Sequence, residues 1–227
     1  LLDWPQGMRF RLHMDGQERL IQLRLLGRHM VYPALAAAAV AAAQGVPPGE
    51  VVPRLAALTP ALGRMVPRPL PNGATIICDT LKSGLETIHA SLDLLAGIPA
   101  ARKIVVLGPI SEPPGPQGPL YRALGARIAE IAQLAVFVDS FREYKAGVRR
   151  AGMPREACRD AGHGISGAAE YLHRELRAGD VVLIKGRRNQ RLERIALALE
   201  GRAVRCRLVT CNVGATHCDR CSQLERA

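Results

Sequence analysis

Residues 73–107 read GATIICDTLKSGLETIHASLDLLAGIPAARKIVVL, and the fold class follows from this stretch. Ala74 to Asp79 is a short apolar strand, Glu86 to Leu95 a helix, and Lys103 to Leu107 a buried strand. A strand, a helix and a second continuous apolar strand make a βαβ unit. The pattern continues outward: Leu120–Gln133 is helical, Leu134–Val138 a strand, Ile165–Arg177 helical, Asp180–Ile184 a strand and Gln190–Leu199 helical, with Val204–Thr210 as a final strand. Strands alternating with helices of this length predict an α/β fold with a mainly parallel sheet, covered on both faces because its strands are apolar throughout. The Pro/Gly-rich loop from Pro109 to Pro119 follows a strand's carboxyl end, the edge where open α/β sheets bind ligands.

Upstream the pattern differs. Residues 8–26 alternate around Asp15-Gly16, a strong short-range hairpin signal. A helix is expected from Pro33 to Gln44, ended by Gly45 and Pro47-Pro48, and a shorter one near Gly49 to Leu58. Pro60, Pro67, Pro69 and Pro71 make residues 60–72 read as a linker. The expected organisation is therefore a unit over 1–59, a linker over 60–72, an α/β domain over 73–210 and a Cys-rich tail over 211–227.

Composition narrows the function. No apolar run reaches membrane-spanning length, and Asp3, Arg9, Arg11 and Asp15 interrupt the place where a signal peptide would have its apolar core. Lys plus Arg number 31 against 20 Asp plus Glu, a formal charge of +11, which attracts phosphorylated or polyanionic ligands as readily as it keeps a surface solvated. Aromatics are only 4%, which leaves few platforms for base stacking and argues against nucleic acid. The six cysteines are not spread as in a disulfide scaffold, so a cytoplasmic setting is expected. Four of them, Cys206, Cys211, Cys218 and Cys221, crowd the tail beside His217. They could bind a structural zinc, form redox pairs, or remain plain thiols.

Several motifs resemble the Mur ligase family, in the right order over roughly residues 8–201. Gly27-Arg28-His29-Met30-Val31-Tyr32-Pro33-Ala34-Leu35-Ala36-Ala37 is similar to G-x-H-N-x-x-N-A-L-A-A, which closes that family's central ATPase domain. Gly63-Arg64 is similar to its G-R pair. Cys78-Asp79-Thr80-Leu81-Lys82-Ser83-Gly84 resembles the D-D-S-Y-N-A-N opening of the C-terminal domain in the branch that adds D-alanyl-D-alanine. Val106-Leu107-Gly108-Pro109-Ile110-Ser111-Glu112 resembles V-L-G-D-M-x-E, and Asp180 to Arg188 resembles D-x-V-L-x-K-G-S-R. The resemblance implies a Rossmann-like C-terminal domain preceded by the tail of a central ATPase domain. It also implies an ATP- and magnesium-dependent amide ligase of peptidoglycan biosynthesis, in which an amine displaces phosphate from an acyl phosphate. The phosphate-binding loop G-x-x-G-K-[ST] does not occur in these residues. With Leu1 standing where a Met would start a chain, we expect a piece of a longer protein whose partners are its missing domains, a nucleotide and an anionic small-molecule substrate.

By this resemblance His29, Arg64, Asp79 and Thr80 would face the nucleotide. Asp79 and Lys82 would serve the chemistry, and Glu112, Lys185, Gly186 and Arg187 would meet the substrate. A guanidinium suits Arg64 to phosphate, because it offers charge-assisted, bidentate bonds. Asp79 could equally be the N-cap of the helix after it, as could Thr80. Departures fall on the base and amine side: Met30 and Pro33 replace the two Asn residues of the first motif, Cys78 the first Asp of the second, and Pro109 the Asp of V-L-G-D. They leave open a changed acceptor, a catalytically silent scaffold, or a zinc-knuckle module that binds anions.

Overall fold

A computed structural model describes residues 1–139, 142–213 and 217–226. The chain opens with β1 (Leu2–Asp3), β2 (Gly7–Met14) and β3 (Gln17–Leu23), a three-stranded antiparallel sheet. The β2–β3 turn is Asp15-Gly16, both at positive φ (49° and 69°), as a tight hairpin turn requires. Met8, Leu12 and Met14 share one face with Ile21 and Leu23. That face is covered by α1 (Val31–Ala43) through Ala34 and Ala38, and by α2 (Pro48–Ala56) through Val51 and Leu55.

The main sheet has six strands in the order β4 (Val66–Pro69), β5 (Thr75–Asp79), β9 (Asp180–Lys185), β6 (Arg102–Leu107), β7 (Leu134–Phe137) and β8 (Cys158–Asp160). All are parallel except β4, which runs antiparallel to β5. One face packs on α3 (Leu85–Gly97), α4 (Gln117–Ile131) and α5 (Arg142–Arg150). The other packs on α6 (Ser166–Glu175) and α7 (Glu193–Leu199). Period-2 alternation divides each strand between the two: Ile77, Val105 and Leu183 face α3, whereas Ile76, Ile104 and Val182 face α6 and α7.

Two expectations are corrected here. Residues 66–69, inside the expected linker, form edge strand β4. Pro67 and Pro69 are compatible with an edge because only one side of the strand has to pair. Val204–Thr210 forms no strand; its backbone is held to the rest by Arg194, which donates to the carbonyls of Cys206 and Leu208. Among the described residues no helix is long and apolar enough to cross a membrane.

Candidate functional site

The order of the strands builds the site. The last strand, β9, inserts between β5 and β6, so Asp79 and Lys185, 106 residues apart, become register neighbours at the carboxyl edge. Both sit on the α3 side of the sheet. Lys185 Nζ donates to Asp79 Oδ2 at 2.6 Å, and Ser91 Oγ of α3 donates to the same oxygen at 2.8 Å. The side chains are 1% and 3% exposed. Burial lowers the Lys185 pKa, and the Asp79 charge and hydrogen bond oppose that shift. A lysine seated this way is a buried partner of Asp79 rather than a surface cation waiting for an anionic substrate. Asp79 likewise spends its carboxylate inside the protein. It does not cap α3 either, because Gly84 is the N-cap and no side chain caps it.

Around this pair the structure gathers two of the other expected residues. His29 is half-buried, and burial lowers its pKa; the Asp79 charge pulls it back up, while Lys185 and Arg64 push it further down. One electrostatic group therefore holds His29, Arg64, Asp79 and Lys185. The G-x-H spacing has a steric reason. Gly27 has φ 96°, and a Cβ there would lie 2.5 Å from the His29 ring, so the imidazole rests on bare backbone. Arg64 is exposed and follows Gly63, whose carbonyl accepts the Thr80 N–H at 3.0 Å. That bond ties the strand-end loop to the arginine. Thr80 itself is buried, with Oγ1 3.8 Å from Cys78 Sγ, and so acts through the backbone rather than by reaching a ligand.

The remaining expected residues lie on the loops around the pair, where the Gly186 N–H donates to the Asp79 carbonyl at 3.4 Å and the Ser111 N–H to the Ser83 carbonyl at 2.8 Å. Lys82 and Glu112 are exposed on loops and make no ion pair or hydrogen bond among the described residues. Gly186 is buried against Leu192. Arg187 is half-buried; its N–H donates to Gln190 Oε1 at 3.1 Å, and its Nε is buried without a partner.

Sequence reasoning missed a second junction on the same edge. Gln190 is buried and donates through Nε2 to Asp139 Oδ2 at 2.6 Å, while its Oε1 takes the Arg187 N–H. Gly108, which follows β6, leaves the room for it: a Cβ there would stand 2.4 Å from Gln190 Oε1. Asp139 adopts φ 59° beyond β7, and its other oxygen lies 3.3 Å from His163 Nδ1. One amide thus links the carboxyl ends of β6, β7 and β9. An acid closing the apolar run 134–138 was the available signal.

Of the three readings of the tail cysteines, zinc finds no gathered set of ligands. Among the described residues, no three or more Cys, His, Asp or Glu side chains are gathered so as to hold a metal. Cys206 Sγ accepts from Arg194 Nη1 at 3.4 Å, whereas Cys218 is buried with Leu197 and Leu224. The Cys218 thiol is pushed up to about 12 by burial and by the charge and hydrogen bond of Glu193, which disfavours the thiolate a metal needs. Cys211 and Cys221 are half-buried and free of disulfides.

No protein-family model matches the chain. The UDP-N-acetylmuramoyl-tripeptide–D-alanyl-D-alanine ligase of Treponema pallidum is 31% identical over 190 residues, covering 79% of this chain and 39% of that protein. The ligase of the same description from Mycobacterium leprae is 32% identical over 227 residues, covering 88% and 43%. Among solved structures, a D-alanyl-D-alanyl ligase from Acinetobacter baumannii superposes with a TM-score of 0.74 at 23% identity over 87% of this chain and 42% of that one. MurF from Thermotoga maritima, solved in complex with ADP, gives 0.72 at 20% identity over 88% and 44%; at these identities the two structures speak for the fold. The chain spans about two fifths of the length of the curated relatives it matches. In sequence and in the order of its strands and motifs, this chain is similar to the C-terminal portion of the Mur ligases.

Proposed function

We propose that the chain is the C-terminal part of an ATP-dependent ligase joining a carboxylate to an amine, and that it closes over the nucleotide with Arg64 and His29. The observation that carries this is the division of labour between two cations. Lys185 is buried on Asp79, so Arg64 is the exposed cation of the group. Its guanidinium offers a fork of donors that matches phosphate oxygens. His29, with a lowered pKa, can offer a ring nitrogen to the same ligand without adding positive charge. The Thr80-to-Gly63 bond and the buried pair hold the loop from which Arg64 projects. ATP, when bound, supplies the phosphoryl group that converts a carboxylate into an acyl phosphate. Lys82 and Arg187, cations on the same edge, are the candidates to meet an anionic substrate. Among the described residues no three His, Cys, Asp or Glu side chains are gathered for a metal, and we assign no step to magnesium. The names of the relatives, which join a D-alanyl-D-alanine unit to a muramoyl tripeptide, support a role in peptidoglycan assembly.

The test is nucleotide binding and turnover in the protein joined to the domains its relatives carry. Arg64→Ala should weaken ADP binding and slow acyl-phosphate formation, and an unchanged rate would remove Arg64 from the site. A catalytically silent module is the second reading. Met30 favours it, being a thioether where the family motif has an amide that can hydrogen-bond. Reading the frame upstream of Leu1 for G-x-x-G-K-[ST] separates the two.

A further inference from the structure

A broad concavity lies away from the Arg64 group, on the α6–α7 side. It encloses about 1480 Å³ between the start of α6 and the extended segment 204–209. Arg194, from α7, forms part of its floor. This guanidinium is buried, and it is satisfied by the carbonyls of Gln190, Arg191, Cys206 and Leu208 together with Cys206 Sγ. None of these acceptors is a carboxylate, so its full positive charge stays under the cavity. Arg205, Arg207 and Arg226 line the same space; they are exposed, and no carboxylate pairs with them among the described residues. Against these four arginines the lining holds one acid, Glu170. His163 stands at the rim, with its Nδ1 turned to Asp139.

We propose that this groove is a second anion site, built for a small molecule carrying two or more phosphate groups. Three features select that ligand. The arginines supply forked, charge-assisted donors, which suit phosphate oxygens. The volume exceeds what a single phosphate fills and is ample for an oligophosphate or a nucleotide-sized molecule. No Phe, Tyr or Trp lines the groove, so single-stranded nucleic acid would find no stacking platform there. The buried Arg194 charge acts through a low-dielectric floor and is screened less by salt than the rim arginines are. The site is independent of the nucleotide reading given for Arg64.

The experiment is calorimetric titration of the 227-residue chain with inorganic tripolyphosphate, beside the Arg205→Gln/Arg207→Gln double variant and Arg64→Ala. All three positions are exposed, so circular-dichroism melts should coincide. The expected result is a saturable site that is weakened at least about tenfold in the double variant, as the loss of charged hydrogen bonds implies, and that is still present in Arg64→Ala, whatever phosphate binding that change removes at the Arg64 group. Equal affinity in the double variant, or the absence of saturation, overturns the proposal. So does a loss confined to Arg64→Ala, which would place the anion at the other site. A single-stranded oligonucleotide that displaces tripolyphosphate at lower concentration would make the ligand nucleic acid and overturn the assignment as stated.

Discussion

Lys185 and Asp79 meet at 2.6 Å with almost no exposure to solvent, although a chain of 105 residues separates them. Each leaves the other uncompensated if it is removed. Asp79→Asn or Lys185→Met should therefore destabilise the chain by about 3–5 kcal/mol, while the double change to apolar residues of similar volume should cost less than either alone. Urea unfolding of the two single variants and the double variant checks this. Single variants as stable as the parent would show that the pair is not buried as described.

Arg64 should behave in the opposite way. It is exposed, so Arg64→Ala should change stability by no more than about 0.5 kcal/mol. In the joined ligase the same change should reduce the phosphate-dependent step by about 10- to 150-fold, equivalent to one charge-assisted bond of roughly 1.5–3 kcal/mol. Thermal melts and single-turnover kinetics of one variant read both numbers.

His29 provides a pH test. Its pKa is lowered by burial first, with Lys185 and Arg64 adding to the fall against Asp79. The unfolded chain therefore binds a proton there at a pH where the folded chain does not. The contribution of His29 to stability should be fully present above the ordinary histidine pKa of about 6.5 and lost as pH falls through the lower folded value. An NMR titration should give a His29 midpoint below 6.5, and Arg64→Ala should move that midpoint upward. A midpoint unaffected by Arg64→Ala would separate the two residues.

The Gly108–Gln190 contact predicts a coupled pair. Gly108→Ala places a methyl 2.4 Å from Gln190 Oε1 and should destabilise by about 1–3 kcal/mol through overpacking. Adding Gln190→Ala should relieve most of that clash, so the two changes should be clearly non-additive in a double-mutant cycle. Additive losses would mean that the close approach is absent.

Thiol chemistry separates the tail cysteines. With its pKa pushed up to about 12, Cys218 at pH 8 should carry a thiolate fraction of about 10⁻⁴ and react far more slowly with a disulfide probe than Cys221. Equal rates for the two, measured on Cys218→Ser and Cys221→Ser variants, would contradict the buried packing of Cys218 against Leu197 and Leu224.

The elements that could be read locally were the ones whose burial is written into consecutive residues. Thr75–Asp79, Arg102–Leu107, Leu134–Phe137 and Asp180–Lys185 each hold a continuous apolar run because helices cover both faces of the sheet, and each was legible as a strand. β4 was hidden by its prolines, which an edge strand tolerates. β8 and α5 lie in the polar, Arg-rich stretch 142–160, where neither a continuous apolar run nor a clear turn signal marks them.

The sequence by itself determined the α/β class, the Asp15-Gly16 hairpin and the presence of His29, Arg64 and Asp79 in family-like motifs, because periodicity and turn chemistry are local properties. Only the tertiary structure decided what surrounds those residues. Strand order is a long-range choice that no local pattern encodes, and it sets β9 beside β5. That placement buries Lys185 on Asp79 and leaves Arg64 exposed. The same holds for Gln190, which joins three strand ends, and for the tail cysteines, whose close spacing suggested a common metal. Side chains near in sequence share a ligand only if the backbone turns them toward one point, and here Arg194 holds the Cys206 segment on α7 while Cys218 packs into an apolar pocket.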